Sequence, residues 1–234
     1  MNRVYSITSV DQPEVVKFLK TLPDVSRDYP RYTDGKVITM WNLIPKKLMP
    51  PRINVRYCCE KLKERYGRGR LVVTGVRWAE SKNRTCNQAL IKKFGKSKRE
   101  AVMLHNDNDE SRKMVENCYK KAKTLMNPII DWTDEDVWEF IRSENIPYCE
   151  LYDYGHDRLG CIGCPNSARQ EEELNTYPVY KENYIRAFDR MITRRRELGK
   201  PTTWNSGEEV IRWWLAKETN PAVDGQLAME ELEY

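Results

Sequence analysis

The apolar positions fall into short, well-separated patterns. Val4 to Ile7 reads as a strand, and Val15, Val16, Phe18, Leu19 and Leu22 form a helical stripe over Pro13 to Leu22. Asp11 is the expected N-cap of that helix, with Glu14 completing a capping box. Pro23 to Gly35 reads as loop. Met40 to Leu48 reads as a helix interrupted at Pro45 and closed by Pro50-Pro51. Tyr57 to Tyr66 is a helix carrying Cys58 and Cys59 near its start, ended by Gly67-Arg68-Gly69. The continuous run Leu71 to Gly75 has the pattern of a buried parallel strand. Glu80 to about Lys123 is polar and reads as a long excursion, part loop and part hairpin. Thr133 then caps a helix with an acidic first turn and a buried stripe of Val137, Trp138, Phe140 and Ile141, stopped by Pro147. Leu159 to Pro165 is a tight loop. Two further helices are expected over Tyr177 to Leu198 and Ser206 to Lys217. Strands and helices in this order, with glycine at strand ends, predict an α/β layer.

Composition narrows the class. The chain has 234 residues, 40% hydrophobic and 32% charged, with a net charge of +5. That supports a real core and a charged surface, and the mild basic excess suits an anionic small molecule at least as well as a nucleic acid. No apolar run approaches the ~18 residues a membrane span needs. The N-terminus has no signal-peptide core, so a cytoplasmic protein is expected. In such a compartment, clustered cysteines read as metal-binding or catalytic rather than disulfide-bonded.

Seven cysteines are present. Cys161-Ile162-Gly163-Cys164 is a CxxC in a glycine- and proline-bounded loop, and Gly163 lets the backbone turn tightly between the thiols. Cys58 and Cys59 are adjacent, a spacing that packing alone seldom requires. Together the pairs offer four soft ligands, the number that tetrahedral zinc or a cubane cluster needs. Spacing alone leaves cluster, zinc and ordinary thiols open. Cys86, Cys118 and Cys149 lack paired spacing and read as ordinary thiols. His156 lies near the CxxC, but four thiols already complete a site. His105 carries no signal.

The residues around these cysteines also form recognisable blocks. Cys58 to Lys63 resembles a CC-x-x-LK block. Thr74 to Ser81 with Arg84 resembles TGxRxxES-x-x-R. Asn127 to Trp138 resembles NPI-x-DWT-x-x-DVW. Leu151 to Pro165 resembles LY-x-x-G-x-x-RLGC-x-x-CP. In this order they resemble the phosphoadenosine phosphosulfate reductase-like family, over roughly residues 1 to 190. The resemblance implies a Rossmann-like parallel sheet flanked by helices. It divides the chain into an α/β domain at 1–168, incomplete at its N-terminal side, and a C-terminal helical region at 169–234. It further implies a [4Fe–4S] cluster on Cys58, Cys59, Cys161 and Cys164, with Zn2+ the alternative. The substrate would be an anionic, adenine-nucleotide type of molecule, in reduction or sulfur transfer. A non-catalytic cluster- or zinc-stabilised subunit, or a nucleic-acid-binding module, is the rival reading.

Two family features have no counterpart in this sequence. One is a phosphate loop of the SGGKDS kind, which leaves a truncated gene product, a loop supplied by a partner protein, or loss of nucleotide binding as the alternatives. The other is a nucleophilic cysteine beyond the CxxC, since none follows Cys164. Arg77, just past the strand Leu71 to Gly75, is the expected anion ligand, helped by Arg84 and Lys82. Arg158, next to the CxxC, is a further expected substrate ligand, able to steady an anion or raise a cluster's potential; Lys61 and Lys63 could do the same or form a solvated helix face. Arg186, Arg190 and Arg194 share one helix face with Arg195 and Arg196 nearby. This run is expected to be solvated, with nucleic-acid phosphates the alternative. Trp204, Trp213 and Trp214 are expected in the core rather than stacked on bases.

Overall fold

A computed structural model of the chain describes residues 2–53, 55–64, 67, 70–80, 90–93, 102–104 and 124–216. They fall into two compact units, Met1–Glu64 with Cys149–Tyr234, and Arg65–Tyr148.

The first unit begins with β1 (Arg3–Ser6), α1 (Pro13–Lys20) and β2 (Val25–Asp28). The two strands pair in parallel, from Arg3 opposite Val25 to Ser6 opposite Asp28, so α1 is a crossover helix. Asp11 does not cap it. Gln12 holds the N-cap position without a side-chain bond, and Pro13 starts the helix. Asp11 stands one residue too early for a cap and turns inward instead. Its carboxylate accepts from Thr8 N–H at 2.7 Å, Thr8 Oγ1 at 2.8 Å and the Tyr5 hydroxyl at 3.1 Å.

Helix α2 (Met40–Lys47) opens on a capping box between Thr39 and Asn42, and it runs straight through Pro45. Proline at 45 cannot donate to the carbonyl of Trp41. The Arg190 guanidinium takes that place, donating to Trp41 O at 2.7 Å, so the expected interruption does not occur. A turn at Cys59–Lys63 follows, wound as a π-helix. After the second unit the chain returns through a 3-10 turn at Glu150–Tyr152, a short helix α4 (Gln170–Thr176), the long α5 (Pro178–Glu197) and α6 (Gly207–Ala216). Here α3 denotes the helix Asp134–Ser143 of the second unit.

Helices α2, α5 and α6 meet in one core. Leu43, Ile44, Tyr184, Phe188, Met191, Ile192, Val210 and Trp214 are all buried there. Gly207 lets α6 approach α5, because a Cβ at that position would lie 2.3 Å from Ile185 O. Trp204 and Trp214 belong to this core, and Trp213 packs against it. One member of the arginine run departs from the solvated reading. Arg195 is fully buried, extending the stripe Tyr184, Phe188, Met191, Ile192, and it donates to Leu48 O at 2.7 Å and Pro201 O at 2.5 Å.

In the second unit β3 (Leu71–Val73) pairs in parallel with β6 (Thr124–Met126). The strands β4 (Ile91–Lys93) and β5 (Val102–Leu104) form the hairpin expected within the polar excursion, and the sheet order is β3-β6-β4-β5. Among the described residues β3 stands at the edge of this sheet, with Leu71 and Val73 exposed rather than buried. Thr133 caps α3 in a capping box with Asp136, as the sequence predicts. Its apolar stripe is only half-buried, and Phe140 is exposed. The helix ends at Ser143, where Asn145 takes a left-handed conformation (φ 50°), two residues before Pro147. Parallel strand pairs with flanking helices make this an α/β chain of the Rossmann-like kind. No helix among the described residues is long and apolar enough to cross a membrane.

Candidate metal centre

The four paired cysteines all belong to the first unit. Residues 161 and 11 form an isolated antiparallel bridge, and Ile162 N–H donates to Val10 O at 2.8 Å. That contact anchors the CxxC loop to the segment following β1. Beneath the loop, Tyr184 donates to Ile162 O at 3.0 Å, Gln170 donates to Gly163 O at 3.2 Å, and Gly163 N–H donates to Glu173 at 3.0 Å. Gly163 has φ +70°, and a Cβ there would meet Leu174 at 3.0 Å and Tyr184 at 3.1 Å. The loop is therefore tied to α4 and α5 by backbone contacts that only glycine permits at 163. On the other side, buried Tyr57 donates to Met49 O at 2.8 Å and fixes the start of the turn that carries Cys58 and Cys59. Cys58 and Cys161 both pack against the core of the unit.

All four thiols are half-buried and free of disulfides. They lie close enough to perturb one another. Cys58 is pushed well up by its hydrogen bond to Cys59, by burial, and by the charges of Cys59, Cys161 and Cys164. Cys59 is held down, to about 5, first by that same bond; burial opposes this, and Arg56 and Lys63 assist. Burial, more than its neighbours, raises Cys164.

Arg56 donates to Cys59 Sγ at 3.3 Å, and the Cys161 thiol reaches Thr8 Oγ1 at 3.6 Å. Lys63 is exposed as a residue, yet its ammonium end lies against Cys161. Burial alone would lower it, but the charge and hydrogen bond of Cys161, with Cys59 and Asp11, bring it up. The sulfurs are thus satisfied by protein donors and by each other, and among the described residues no three His, Cys, Asp or Glu side chains stand ready in metal-binding geometry.

The remaining candidates are distributed as follows. Arg77 lies in the second unit and is engaged within it, donating to Trp132 O at 3.3 Å and pairing with Asp134 at 2.5 Å. Arg84, Lys82, Cys86, His105 and Cys118 lie outside the described residues. Arg158 is exposed near the CxxC loop, Lys61 pairs with Glu60, and His156 is half-buried. Arg56, Thr8 and Asp11 are the neighbours that sequence reading missed. Only Arg56 left a trace, standing three residues before Cys59.

The four sequence blocks pair two by two. The CC and CxxC blocks meet in the first unit. In the second, the Thr74 hydroxyl donates to Asn127, Trp78 N–H donates to Ile130 O at 2.7 Å, and Arg77 reaches Trp132 and Asp134.

Comparison with known proteins gives the same blocks a family. Residues 52–167 match the phosphoadenosine phosphosulfate reductase domain. An adenosine 5'-phosphosulfate reductase of Oceanobacillus iheyensis is 36% identical over 67 residues, 29% of this chain and 24% of that protein. One from Staphylococcus epidermidis is 35% identical over 97 residues, 42% of this chain and 32% of that protein. An uncharacterized protein of Methanocaldococcus jannaschii is 26% identical over 218 residues, 87% of this chain and 35% of that protein. The chain therefore spans about a quarter to a third of the length of these relatives. Through residues 52–167, the chain belongs to the phosphoadenosine phosphosulfate reductase-like family.

Proposed function

We propose that this chain is an iron–sulfur protein of sulfur chemistry, acting by sulfonucleotide reduction or sulfur transfer on an anionic nucleotide-type substrate. The observation that supports the reading is that both cysteine pairs belong to one unit, with Cys58 and Cys161 packed against the same core and Cys58 within electrostatic reach of the other three thiols. The donor set fits a [4Fe–4S] cluster: four soft sulfurs, with cationic Arg56 and Lys63 beside them. A 2+ cluster core on four thiolates carries a net charge of about −2, which these two cations offset. When bound, the cluster would supply an electron-handling and electrostatic centre. Cys58, Cys59, Cys161 and Cys164, all half-buried, would hold it. The relatives named as adenosine 5'-phosphosulfate reductases support a sulfated adenine nucleotide as substrate.

Anaerobic purification with iron, sulfide and zinc analysis tests the centre. About four iron and four sulfide per chain are expected. A colourless protein with one zinc would sink the cluster, and a metal-free protein would sink the site. Calorimetric titration of the loaded protein tests the substrate. Adenylyl sulfate should bind more tightly than adenosine, and equal or absent binding of both rules out this substrate class.

A further inference from the structure

Arg56 is placed by its own backbone. Its carbonyl accepts from Glu60 N–H at 3.2 Å and so opens the turn bearing the vicinal cysteines. The side chain follows that turn forward and donates to Cys59 Sγ at 3.3 Å. A carboxylate is the usual partner of a guanidinium. The carboxylate of Glu64 acts on Arg56 only through its charge and less than Cys59 does, and the hydrogen bond of Arg56 goes to sulfur. The neighbouring cation, Lys63, lies against a different sulfur, that of Cys161. The two positive groups therefore make their hydrogen bonds to different sulfurs, although the charge of Lys63 also acts on Cys59.

We propose that Arg56 is a positioning residue for the metal centre: its guanidinium hydrogen-bonds the Cys59 sulfur, fixes that ligand's orientation and withdraws charge from it. The inference rests on the reading of Cys59 as a ligand. Hydrogen bonds to ligating sulfurs and nearby positive charge stabilise the more reduced, more negative state of such a centre. They also lower the energy of the sulfur lone pairs, which moves sulfur-to-metal charge transfer to higher energy.

The test uses Arg56→Leu, Arg56→Gln and Arg56→Lys in the full chain, with far-UV circular dichroism as the folding control. Each variant is loaded with Co2+ and, separately, reconstituted with iron and sulfide. In Arg56→Leu the thiolate-to-cobalt band is expected to move to lower energy. Its iron–sulfur form should be harder to reduce, by about tenfold in the one-electron equilibrium, or ~59 mV. Arg56→Gln should fall between, and Arg56→Lys should recover most of both shifts. Normal loading with unshifted band and potential in the Leu and Gln variants would overturn the role of Arg56 alone. A wild-type chain that takes up neither Co2+ nor iron on its thiols would overturn the ligand reading and this inference with it. Should the Leu variant misfold, equal values for wild type, Gln and Lys would still overturn the inference.

Discussion

Gly163 answers two demands at once, a left-handed backbone (φ +70°) and the absence of a side chain against Leu174 and Tyr184. Gly163→Ala meets both penalties, strain of ~1–2 kcal/mol and overpacking of ~1–3 kcal/mol. A loss of about 2–4 kcal/mol is expected in urea unfolding, together with weakened metal uptake. A change under 0.5 kcal/mol would show that the loop relaxes freely. Tyr184→Phe is the gentler probe of the same spot. It removes one buried hydrogen bond, that to Ile162 O, and leaves the ring in place, so ~1–2 kcal/mol is expected from the orphaned carbonyl.

Along the elements, two helices carry separable predictions. Arg195 joins α5 to the end of α2 and to Pro201. Arg195→Met keeps the apolar stem and drops the donors. It should cost about 2–4 kcal/mol through buried carbonyls left unpaired, whereas Arg186→Met, on an exposed i,i+4 pair, should change stability by under about 0.5 kcal/mol. Paired chemical unfolding curves compare the two. In α3, bonds from the Thr133 backbone and side chain hold the Asp136 carboxyl below its ordinary value of 3.8. A depressed acid stabilises the folded form fully above its unfolded pKa and loses that contribution as pH falls through the folded one. Protection of the amides at the start of α3, taken as exchange relative to the unstructured rate at each pH, should therefore be constant above about pH 4 and fall below it, and Thr133→Ala, which removes the side-chain bond but keeps the backbone one, should shrink the pH step without abolishing it. The same elements show what the sequence could and could not disclose. Thr133 and the two C-terminal helices were legible because caps and stripes are local. Pro45 and Asp11 were misread because their partners, Arg190 and the Thr8 loop, appear only on folding. Arg195 was hidden by its charge, although its spacing from Tyr184, Phe188 and Ile192 continues the apolar stripe. The grouping of the two cysteine pairs into one site is what the family resemblance implies, and both pairs belong to the first unit. Arg56 left only its place three residues before Cys59, a spacing that by itself names no contact.

At the scale of the whole molecule, Cys58 and Cys161 pack against the core that α2, α5 and α6 share, so a group held by them would be linked to that core. Ligand bound only by the folded state stabilises it by mass action, about 2.7 kcal/mol at a hundredfold excess over Kd. Anaerobic loading should raise the Tm of the transition that reports the tryptophan-rich core, and a chelator should reverse it; an unchanged Tm would mean that the site and the core unfold independently. The first unit is also built from two separate stretches of chain, with the second unit inserted between them. Synthesis therefore delivers Cys58 and Cys59 about a hundred residues ahead of Cys161. At ~5–20 residues per second this leaves the first pair waiting for roughly 5–20 s before its counterparts exist. During that interval the vicinal thiols are half of the proposed site, open to oxidants and stray metals, and only the arrival of the later stretch can close the core around them.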